Sequence, residues 1–519
     1  MNLRSDVIKK RVYDVLFILA IVLSLFNGID ASKVPFIVYT FLANTTYAAT
    51  YPLFLLSLLY FIDSIVSGKI GRYKGLLWFF CFYMVVKLIV SVHGSLSFEF
   101  FDYIKIDEIS GISKIFFDQI KRVFPSCSDY TGWVVCYIVR NVFNSFVRFY
   151  SIWFVVYSVG LYCVDSLNLS KSISIGLHIA IGIVCFYEVF EIAHFLGFEW
   201  GTSFLTKVNP CLYSIATEYG WWPPLLPSGV RNVFQEQSYY AYWACLVLPF
   251  FLYNISRKKW YDLPFVVFLM WCMIASNSRT GIALLLGELF VIFVCELLFI
   301  RKKQIIPVLI VFLLLVVICV LALGFLSNKY KADNFKDRTV LYLENTIGTL
   351  TDKTARSNPS RFGIRDAEIA TWKESPLFGV GIELEGFYFI RNIPEYAVSA
   401  VGDWVKKQEL IGSSPCSFPA LNQYTSSLAS GGIFGFLADT MPVVLLACCL
   451  FVRLLRKRFG KDADSIPNVP YSFIIGSLSV ILAFGVSCNF YMMSMPFIVL
   501  GLAFAFLMKG SRHKEECGP

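Results

Sequence analysis

The chain has 519 residues, of which 57% are hydrophobic and only 16% are charged, a composition typical of a protein with many membrane spans. Its formal net charge of +9 does not indicate a nucleic-acid partner, because the basic residues lie in short clusters between apolar segments. Most of the 15 cysteines lie inside apolar segments, which argues against a disulfide framework, and no Cys/His cluster has the spacing of a metal site.

Apolar segments long enough to cross a bilayer predict an all-α integral membrane protein with about twelve transmembrane helices. The predicted spans are roughly 13–28, 48–66, 74–93, 144–163, 173–197, 237–255, 260–276, 280–300, 304–326, 428–453, 470–487 and 489–508. Residues 131–143 are apolar enough to lengthen the fourth span. No small-residue cleavage site follows the first span, so we expect it to remain as an anchor.

The distribution of lysine and arginine predicts the orientation of these spans. With twelve spans, every basic cluster in a short loop falls on the same side, which the positive-inside rule assigns to the cytoplasm, together with both termini. Residues 1–326 then hold nine spans, residues 327–427 form a long external loop with short helices, and residues 428–519 hold three spans and a cytoplasmic tail. A loop of that length is expected to be a working element rather than a connector.

Several ionisable residues fall in the outer or middle part of predicted spans, where charge is costly and often marks function. They are Lys87, Arg148, Glu188, Glu191, His194, Glu288 and Asp439. Their outward bias predicts a polar cavity roofed by the long loop. The alternative is a set of interhelical ion pairs, such as Lys87 with Glu188.

The long loop contains one segment, 358–381, that predicts a short helix. Asn358 is suited to its start, and the spacing places Arg361, Arg365, Glu368 and Trp372 on one face. Two arginines one turn apart can hold phosphate oxygens through paired N–H donors. The alternative is a solvated loop helix with no ligand.

Other polar residues are predicted at the outer membrane edge. Arg231 and Glu236 lead directly into a span, Arg279 lies at the tip of a tight turn between two spans, and Asn422 and Gln423 precede the point where the chain re-enters the bilayer. Nearby glycines at 431, 432 and 435 are interpreted as sites of close helix packing.

These segments, in this order and on one side of the membrane, resemble the O-antigen polymerase and O-antigen ligase superfamily of bacterial envelope glycosyltransferases. The resemblance covers roughly residues 229–440 and rests on Arg231 with Phe234-Gln-Glu236, Ser278-Arg-Thr-Gly281, Arg361 to Gly381, and Asn422-Gln-Tyr424 with Gly431 to Gly435. It implies a GT-C-like fold and transfer of an oligosaccharide from undecaprenyl pyrophosphate at the outer face of the inner membrane, without a metal or other cofactor. Besides this lipid-linked substrate and the bilayer, a chain-length regulator membrane protein is a candidate partner.

Three functions remain open on the sequence. A polymerase extends lipid-linked repeat units, whereas a ligase transfers the finished polymer to lipid A core. Ligases of this superfamily carry a histidine before the asparagine that opens the final part of the motif, and Leu421 occupies that position here, which favours the polymerase. A flippase for lipid-linked oligosaccharide is the alternative of another class, but such a transporter would be expected to contain internal repeats, and none is detectable.

The roles that follow from this chemistry are predictions. Cations are needed to stabilise charge on the leaving pyrophosphate, and a base is needed to accept the proton of the attacking hydroxyl. The predicted catalytic residues are Arg279, Arg365 and Glu236, with Glu191 and His194 as alternative bases. The predicted substrate-binding residues are Arg231, Arg361, Asn422, Gln423 and Arg148. Asp366 and Glu368 are expected to pair with the arginines.

Overall fold

The architecture is that of a computed structural model, in which all regular secondary structure of the described residues is helical. The described residues are 3–26, 49–106, 111–212, 223, 225–226, 229–276, 278–299, 352–353, 358–411, 418–458, 471–489, 491 and 493–516. The predicted ninth span, 304–326, and the first part of the long loop lie outside them.

Eight helices precede the motif-bearing part of the chain. They are α1 (Leu3–Leu23), α2 (Thr50–Val66), α3 (Lys74–Leu96), α4 (Gly111–Val123), α5 (Asp129–Phe149), α6 (Val155–Asp165), α7 (Leu169–Phe195) and α8 (Glu199–Leu212). Helices α3 and α7 agree closely with predicted spans. The predicted lengthening of the fourth span, 144–163, by residues 131–143 is confirmed, because α5, a π-helical turn at Tyr150–Phe154 and α6 form one continuous unit over Asp129–Asp165.

Ten further helices carry or support the motifs. They are α9 (Gln237–Ser256), α10 (Leu263–Ala275), α11 (Arg279–Phe299), α12 (Asn358–Glu374), α13 (Glu385–Asn392), α14 (Val398–Ile411), α15 (Gln423–Asp439), α16 (Met441–Arg458), α17 (Tyr471–Phe484) and α18 (Met495–Glu516). Helices α12 to α14 belong to the predicted external loop and pack together around Ile364, Phe389 and Val401.

The length and composition of the helices identify a helical membrane protein. Five stretches are long and apolar enough to cross a bilayer: Ile70–Leu96, Asp129–Asp165, Leu169–Phe195, Arg279–Leu297 and Gln423–Arg456. Shorter apolar helices lie at Thr50–Val66, Trp260–Ala275, Ser472–Phe484 and Met495–Met508. The predicted fold class is therefore confirmed within the described part of the chain.

Small residues allow the closest helix contacts in this bundle. At the crossing of α6 and α18, a Cβ on Gly160 would lie 3.1 Å from the carbonyl oxygen of Gly501, and a Cβ on Gly501 would lie 2.7 Å from Val159. Between membrane helices, packing at short range replaces the hydrophobic driving force that acts in water. The two glycines therefore bring α6 and α18, the last helix of the described bundle, together.

The predicted pairing of Lys87 with Glu188 is wrong. Lys87 on α3 forms its ion pair with Asp439 at the end of α15, and both side chains are buried. Arg148 near the end of α5 interacts electrostatically with the same carboxylate. A buried carboxylate held by two cations is satisfied locally, so this cluster links three helices across the bundle.

Helix α15 is broken at Gly432, where an extended segment of the loop lies against it. The backbone of Gly432 has φ +60°, and the N–H groups of Ile433 and Phe434 donate to the carbonyls of Pro376 and Leu377 at 2.9 and 3.2 Å. The predicted close packing at these glycines is therefore against a loop segment rather than against another helix. The contact fixes α12, which ends just before Pro376, relative to α15.

Candidate active site

A cavity of about 650 Å³ lies at one end of the bundle, between the starts of α9, α11, α12 and α15. We call it the arginine cavity, because the charged residues among its described lining are Arg279, Arg361, Arg365 and Glu236. Asn422 also lines it, so five of the eight predicted site residues meet here. No three His, Cys, Asp or Glu side chains lie together as metal ligands would, within the described residues.

Four helices point their N-termini at the arginine cavity. The wall contains Gln237 from the start of α9, Arg279 from α11, Asn358 from α12, and Asn422, which caps α15. The first turn of a helix carries unsatisfied N–H groups and about half a positive charge. Together with the three arginines, these termini make the cavity a site for an anion.

Glu236 is the cap residue of α9 and belongs to a turn that is tied to α7. The buried carboxylate of Glu191 accepts hydrogen bonds from the backbone N–H of Arg231 at 3.4 Å and of Asn232 at 2.8 Å. Ser238 in turn donates to one oxygen of Glu236 at 2.9 Å. These contacts fix the direction in which the Glu236 carboxylate enters the cavity.

The same turn is held on its other side by the end of α10. The N–H of Val230 donates to the carbonyl of Ala275 at 3.1 Å. Gly229 has φ +81°, and a Cβ there would lie 2.8 Å from the carbonyl oxygen of Ser276. Glycine is the residue that tolerates both this backbone conformation and this close approach. The turn is therefore fixed between two helices.

Arg279 is the first residue of α11 and is half-buried at the cavity wall. Ser278 precedes it and accepts a hydrogen bond from the N–H of Gly281 at 3.1 Å, as a helix cap does. A Cβ on Gly281 would lie 2.4 Å from the side chain of Ala241 on α9. The close contact of α9 and α11 brings Arg279 to the same cavity as Glu236.

Helix α12 carries the other two arginines. Arg361 donates to the carbonyl of Ser487, just beyond α17, at 3.1 Å. Arg365 stacks on Phe362 with 4.6 Å between the guanidinium carbon and the ring centroid. On the opposite side of α12, Ile364 and Ala367 are fully buried. The alternative of a solvated loop helix is therefore wrong, because α12 is packed on one face and lines the cavity with the other.

The expected pairing of Asp366 with an arginine is confirmed. Its carboxylate accepts hydrogen bonds from Nη2 of Arg365 at 2.9 Å, from Lys353 and from Tyr396. Partial burial raises the pKa of Asp366, but these three hydrogen bonds outweigh it and hold the pKa below its usual value. Asp366 is therefore ionised and orients the Arg365 guanidinium.

Glu368 was expected to pair with an arginine as well, but its hydrogen-bond partner among the described residues is Thr425 on α15. The side chain is fully buried. Burial raises the pKa of Glu368 to about 8, although the hydrogen bond from Thr425 opposes the shift. At neutral pH this carboxyl is largely protonated, and it links α12 to the start of α15.

Asn422 and Gln423 have different positions. The side-chain oxygen of Asn422 accepts hydrogen bonds from the N–H groups of Tyr424 and Thr425 at 3.0 and 3.2 Å, and so caps α15 at the cavity wall. Gln423 is buried and donates to Ser427 at 2.9 Å, outside the described lining. Asn422 can therefore reach a ligand in the cavity, whereas Gln423 supports the helix start.

Two of the predicted substrate-binding arginines lie outside the described cavity wall. Arg231 is buried and donates to the carbonyl of Pro223 at 2.6 Å. Arg148 lies in the cluster with Lys87 and Asp439. Neither arginine is therefore placed to contact a ligand in the arginine cavity directly.

The alternative bases are also engaged elsewhere. Glu191 holds the turn before α9, and Nδ1 of His194 lies 2.8 Å from the hydroxyl of Thr202. Neither residue is part of the described cavity wall. Glu236 is therefore the carboxylate that the geometry offers to a ligand in the arginine cavity.

A comparison with protein-family models identifies the part of the chain that holds most of this cavity. The model described as O-antigen ligase (Wzy_C) matches residues 264–438. Residues 264–438 are therefore similar to the O-antigen ligase family. The match supports the resemblance of this part of the chain to the O-antigen polymerase and ligase superfamily. No curated protein matches the chain.

The segment that matches the O-antigen ligase family contributes Arg279, Arg361, Arg365 and Asn422 to the cavity. Glu236 comes from the turn before it, so the cavity also requires the preceding part of the chain. The family suggests a glycosyl-transferring enzyme in O-antigen biosynthesis and a lipid-linked polysaccharide substrate in a membrane. With the apolar helices, the match indicates a multi-pass protein of the bacterial inner membrane.

Two features of the site were missed by sequence reasoning. The convergence of four helix N-termini depends on tertiary packing, and its local signals were the residues Ser278, Asn358 and Asn422 at three of the helix starts. Ser487 contributes a carbonyl through its backbone, which leaves no side-chain signal. A search for cap residues next to the predicted arginines would have found the first feature in part.

Proposed function

We propose that the protein polymerises oligosaccharide repeat units linked to undecaprenyl pyrophosphate, at the outer face of the cytoplasmic membrane. The observation that carries this proposal is the convergence of three arginines and four helix N-termini on one cavity. A pyrophosphate with two or more negative charges suits such a site. Arginine remains protonated and binds phosphate oxygens with paired donors.

The reaction forms one glycosidic bond and breaks one bond to the lipid carrier. A hydroxyl oxygen of the acceptor repeat attacks the anomeric carbon of the donor sugar, and undecaprenyl pyrophosphate leaves with the bonding electron pair. Arg279, Arg361 and Arg365 stabilise the negative charge that increases on the pyrophosphate. Groups that are oriented before the reaction stabilise such charge most effectively.

Glu236 accepts the proton of the attacking hydroxyl in this proposal. Its carboxylate faces the cavity, and the hydrogen bond from Ser238 occupies one of its oxygens. A positioned carboxylate of this kind contributes about 10²–10⁴-fold to the rate of a proton-transfer step. Asn422 also lines the cavity, where its amide N–H group can orient a sugar hydroxyl.

The experiment that tests the function compares the surface glycan of a deletion strain with that of the complemented strain on a gel. A polymerase predicts core bearing a single repeat in the deletion strain and a full ladder after complementation. Bare core, with polymer accumulating on the lipid carrier, would contradict the polymerase and favour the ligase. An unchanged ladder would contradict both.

The ligase is a second candidate, because the matching family model carries that description. The residue at the position of the superfamily histidine decides our preference. Leu421 lines the arginine cavity there, and an aliphatic side chain cannot accept a proton. Purified protein that transfers polymer to lipid A core, and does not extend lipid-linked repeats, would overturn the preference.

A further inference from the structure

A second large cavity, of about 680 Å³, lies at the other end of the bundle. It is formed by the start of α1, the end of α2, the turn that leads into α3, and the end of α6. Helix α3 begins beside this cavity at Lys74, and near its other end Gly94 touches Gly381 of the loop. Its 23 residues span roughly 35 Å, so the two cavities are far apart.

The second cavity is lined by four cations and three carboxylates, and the carboxylates have partners within its wall. Asp165 receives both terminal nitrogens of Arg72, at 2.6 and 3.2 Å, and Asp63 pairs with Lys9. The remaining carboxylate, Asp14, accepts hydrogen bonds from Tyr162 at 2.6 Å and from other neutral donors. Two of the three carboxylates are therefore neutralised by ion pairs, and the wall keeps one net positive charge, with four cations against three carboxylates.

Two lysines in this wall lack such partners. Lys10 and Lys69 are exposed and make no ion pair with a described residue. We call the site the lysine cavity for these two residues. One comes from α1 and the other from the turn after α2, and both line the same cavity, so a single anion bound there can contact both ammonium groups.

The rim of the lysine cavity is apolar on the side that would face lipid. Val66 and Leu167 line the cavity and are 68% and 88% exposed, and the neighbouring Ile62 and Ile65 on α2 are also exposed. A cluster of exposed aliphatic side chains on a membrane protein is suited to contact with lipid. A ligand that combines a phosphate with an apolar tail fits both the lysines and this rim.

We propose that the lysine cavity binds the phosphate headgroup of an anionic phospholipid that enters from the surrounding membrane leaflet. Lys10 and Lys69 contact the phosphate, and Val66 and Leu167 contact the start of the acyl chains. Basic cavities between membrane helices are suited to acidic headgroups because they add local charge to the surface attraction of the membrane. The site is separate from the arginine cavity and does not depend on the function proposed for it.

The test measures binding of phosphatidylglycerol to the purified full-length chain in detergent, with phosphatidylcholine as the neutral reference, by native mass spectrometry. We expect phosphatidylglycerol to bind more tightly than phosphatidylcholine. The double variant Lys10→Gln/Lys69→Gln should lose about five-fold in affinity for each lysine removed. The matched control, Lys74→Gln/Lys171→Gln, removes two exposed charges at the same end but outside the cavity wall, and should bind like the wild type.

Equal losses in both double variants would overturn the proposal, because they would assign the binding to general surface charge. Displacement of the lipid by glycerol phosphate at comparable concentration would assign the cavity to a soluble phosphate compound and overturn the lipid source. If the double variant does not accumulate, the single variants Lys10→Gln and Lys69→Gln give the same test. Unchanged affinity for phosphatidylglycerol in both single variants would also contradict the proposal.

Discussion

Arg365 is held by two neighbouring side chains in the arginine cavity. Its guanidinium is held between the ring of Phe362 and the carboxylate of Asp366, so its orientation is fixed before a ligand arrives. We predict that Arg365→Ala lowers the rate of chain extension by about 10²–10³-fold, because one oriented donor to the leaving pyrophosphate is lost. The measurement is the rate of ladder formation by purified protein with lipid-linked repeats.

Two variants serve as controls for this prediction. Arg365→Lys keeps the charge but loses the paired donors, and an intermediate rate is expected. Arg391→Ala removes an arginine from the same loop, where it pairs with Glu99 and Glu374 outside the cavity, and should extend chains normally. A full-length ladder from Arg365→Ala at wild-type rate would show that the pyrophosphate role is wrong.

Glu236 and Glu191 distinguish a group that reacts from a group that positions. Glu236→Gln preserves the shape of the side chain but removes the proton acceptor, so kcat should fall by about 10²–10⁴-fold while KM changes little. Glu191→Gln keeps one oxygen for the backbone N–H groups of Arg231 and Asn232. It should lower the thermal stability more than it lowers kcat. If Glu191→Gln lowered kcat strongly and Glu236→Gln mainly lowered the thermal stability, Glu191 would be the proton acceptor and Glu236 the positioning residue.

Glu368 predicts a pH dependence of stability. Its pKa is about 8 in the folded protein because it is buried, against 4.5 for the free group. Between these values the folded state holds a proton that the unfolded chain has released, so this contribution to stability is present below pH 4.5 and is lost as pH rises through 8. The thermal unfolding temperature of Glu368→Gln should therefore fall less between pH 5 and pH 8 than that of the wild type.

The control for this pH dependence is Glu395→Gln, which changes an exposed carboxyl on the same loop. The unfolding temperature of this variant should fall with rising pH as much as that of the wild type. Glu385 has a pKa that is also raised to about 8 by burial, so the Glu368 variant is expected to keep part of the decline. If Glu368→Gln had the same pH profile of unfolding temperature as the wild type, the Glu368 carboxyl would not be buried in the way that its contact with Thr425 implies.

At the scale of single elements, apolar runs predict most membrane helices well, because length and composition alone decide which segments leave water. The fourth span was predicted only in part, because its lengthening by residues 131–143 remained an option on the sequence. The polar residues Arg140 and Asn141 interrupt its apolar pattern, but both bind the loop, Arg140 through Glu383 and Asn141 through the carbonyl of Ile382. Polar residues that are satisfied by tertiary contacts cannot be recognised from the pattern of one helix.

The break in α15 makes a prediction about the element that connects the loop to the bundle. A Cβ at residue 432 would lie 2.3 Å from the backbone of Leu377, and the backbone there has φ +60°. Gly432→Ala should therefore displace the loop segment and lower both the thermal stability and the rate of chain extension. An L-residue in such a conformation costs about 1–3 kcal/mol before the steric contact is counted.

Gly431 is a matched control in the adjacent position. A Cβ on this residue meets no atom within 4 Å, and its backbone is not in the left-handed region. Gly431→Ala should leave stability and activity close to those of the wild type. If both variants behave alike, the loop segment does not require the break in the helix.

At the scale of the whole molecule, the sequence predicts the chemistry of the arginine cavity better than its shape. Arg279, Arg361 and Arg365 were predicted from local spacing and from the resemblance, and they meet in one cavity. Their neighbours Glu236 and Ser487 are separated by 251 positions of the sequence, and only tertiary contacts bring them together. Arg148 and Arg231 illustrate the converse, because a charge near the membrane edge does not reveal which side of its helix faces a cavity.

The separation of the two cavities turns the orientation of the protein into a measurable property. Residue 105 follows α3 at the end that holds the arginine cavity, whereas residue 168 lies in the wall of the lysine cavity. The positive-inside rule predicts that the lysine cavity is cytoplasmic. Alkaline phosphatase, which is active only outside the cytoplasm, should therefore be active when fused after residue 105 and inactive when fused after residue 168. In the proposed function, undecaprenyl pyrophosphate-linked repeats are extended at the outer face of the membrane. The reverse pattern of activity would place the arginines on the cytoplasmic side and would contradict that reaction. It would leave the anion-binding geometry of the arginine cavity unchanged.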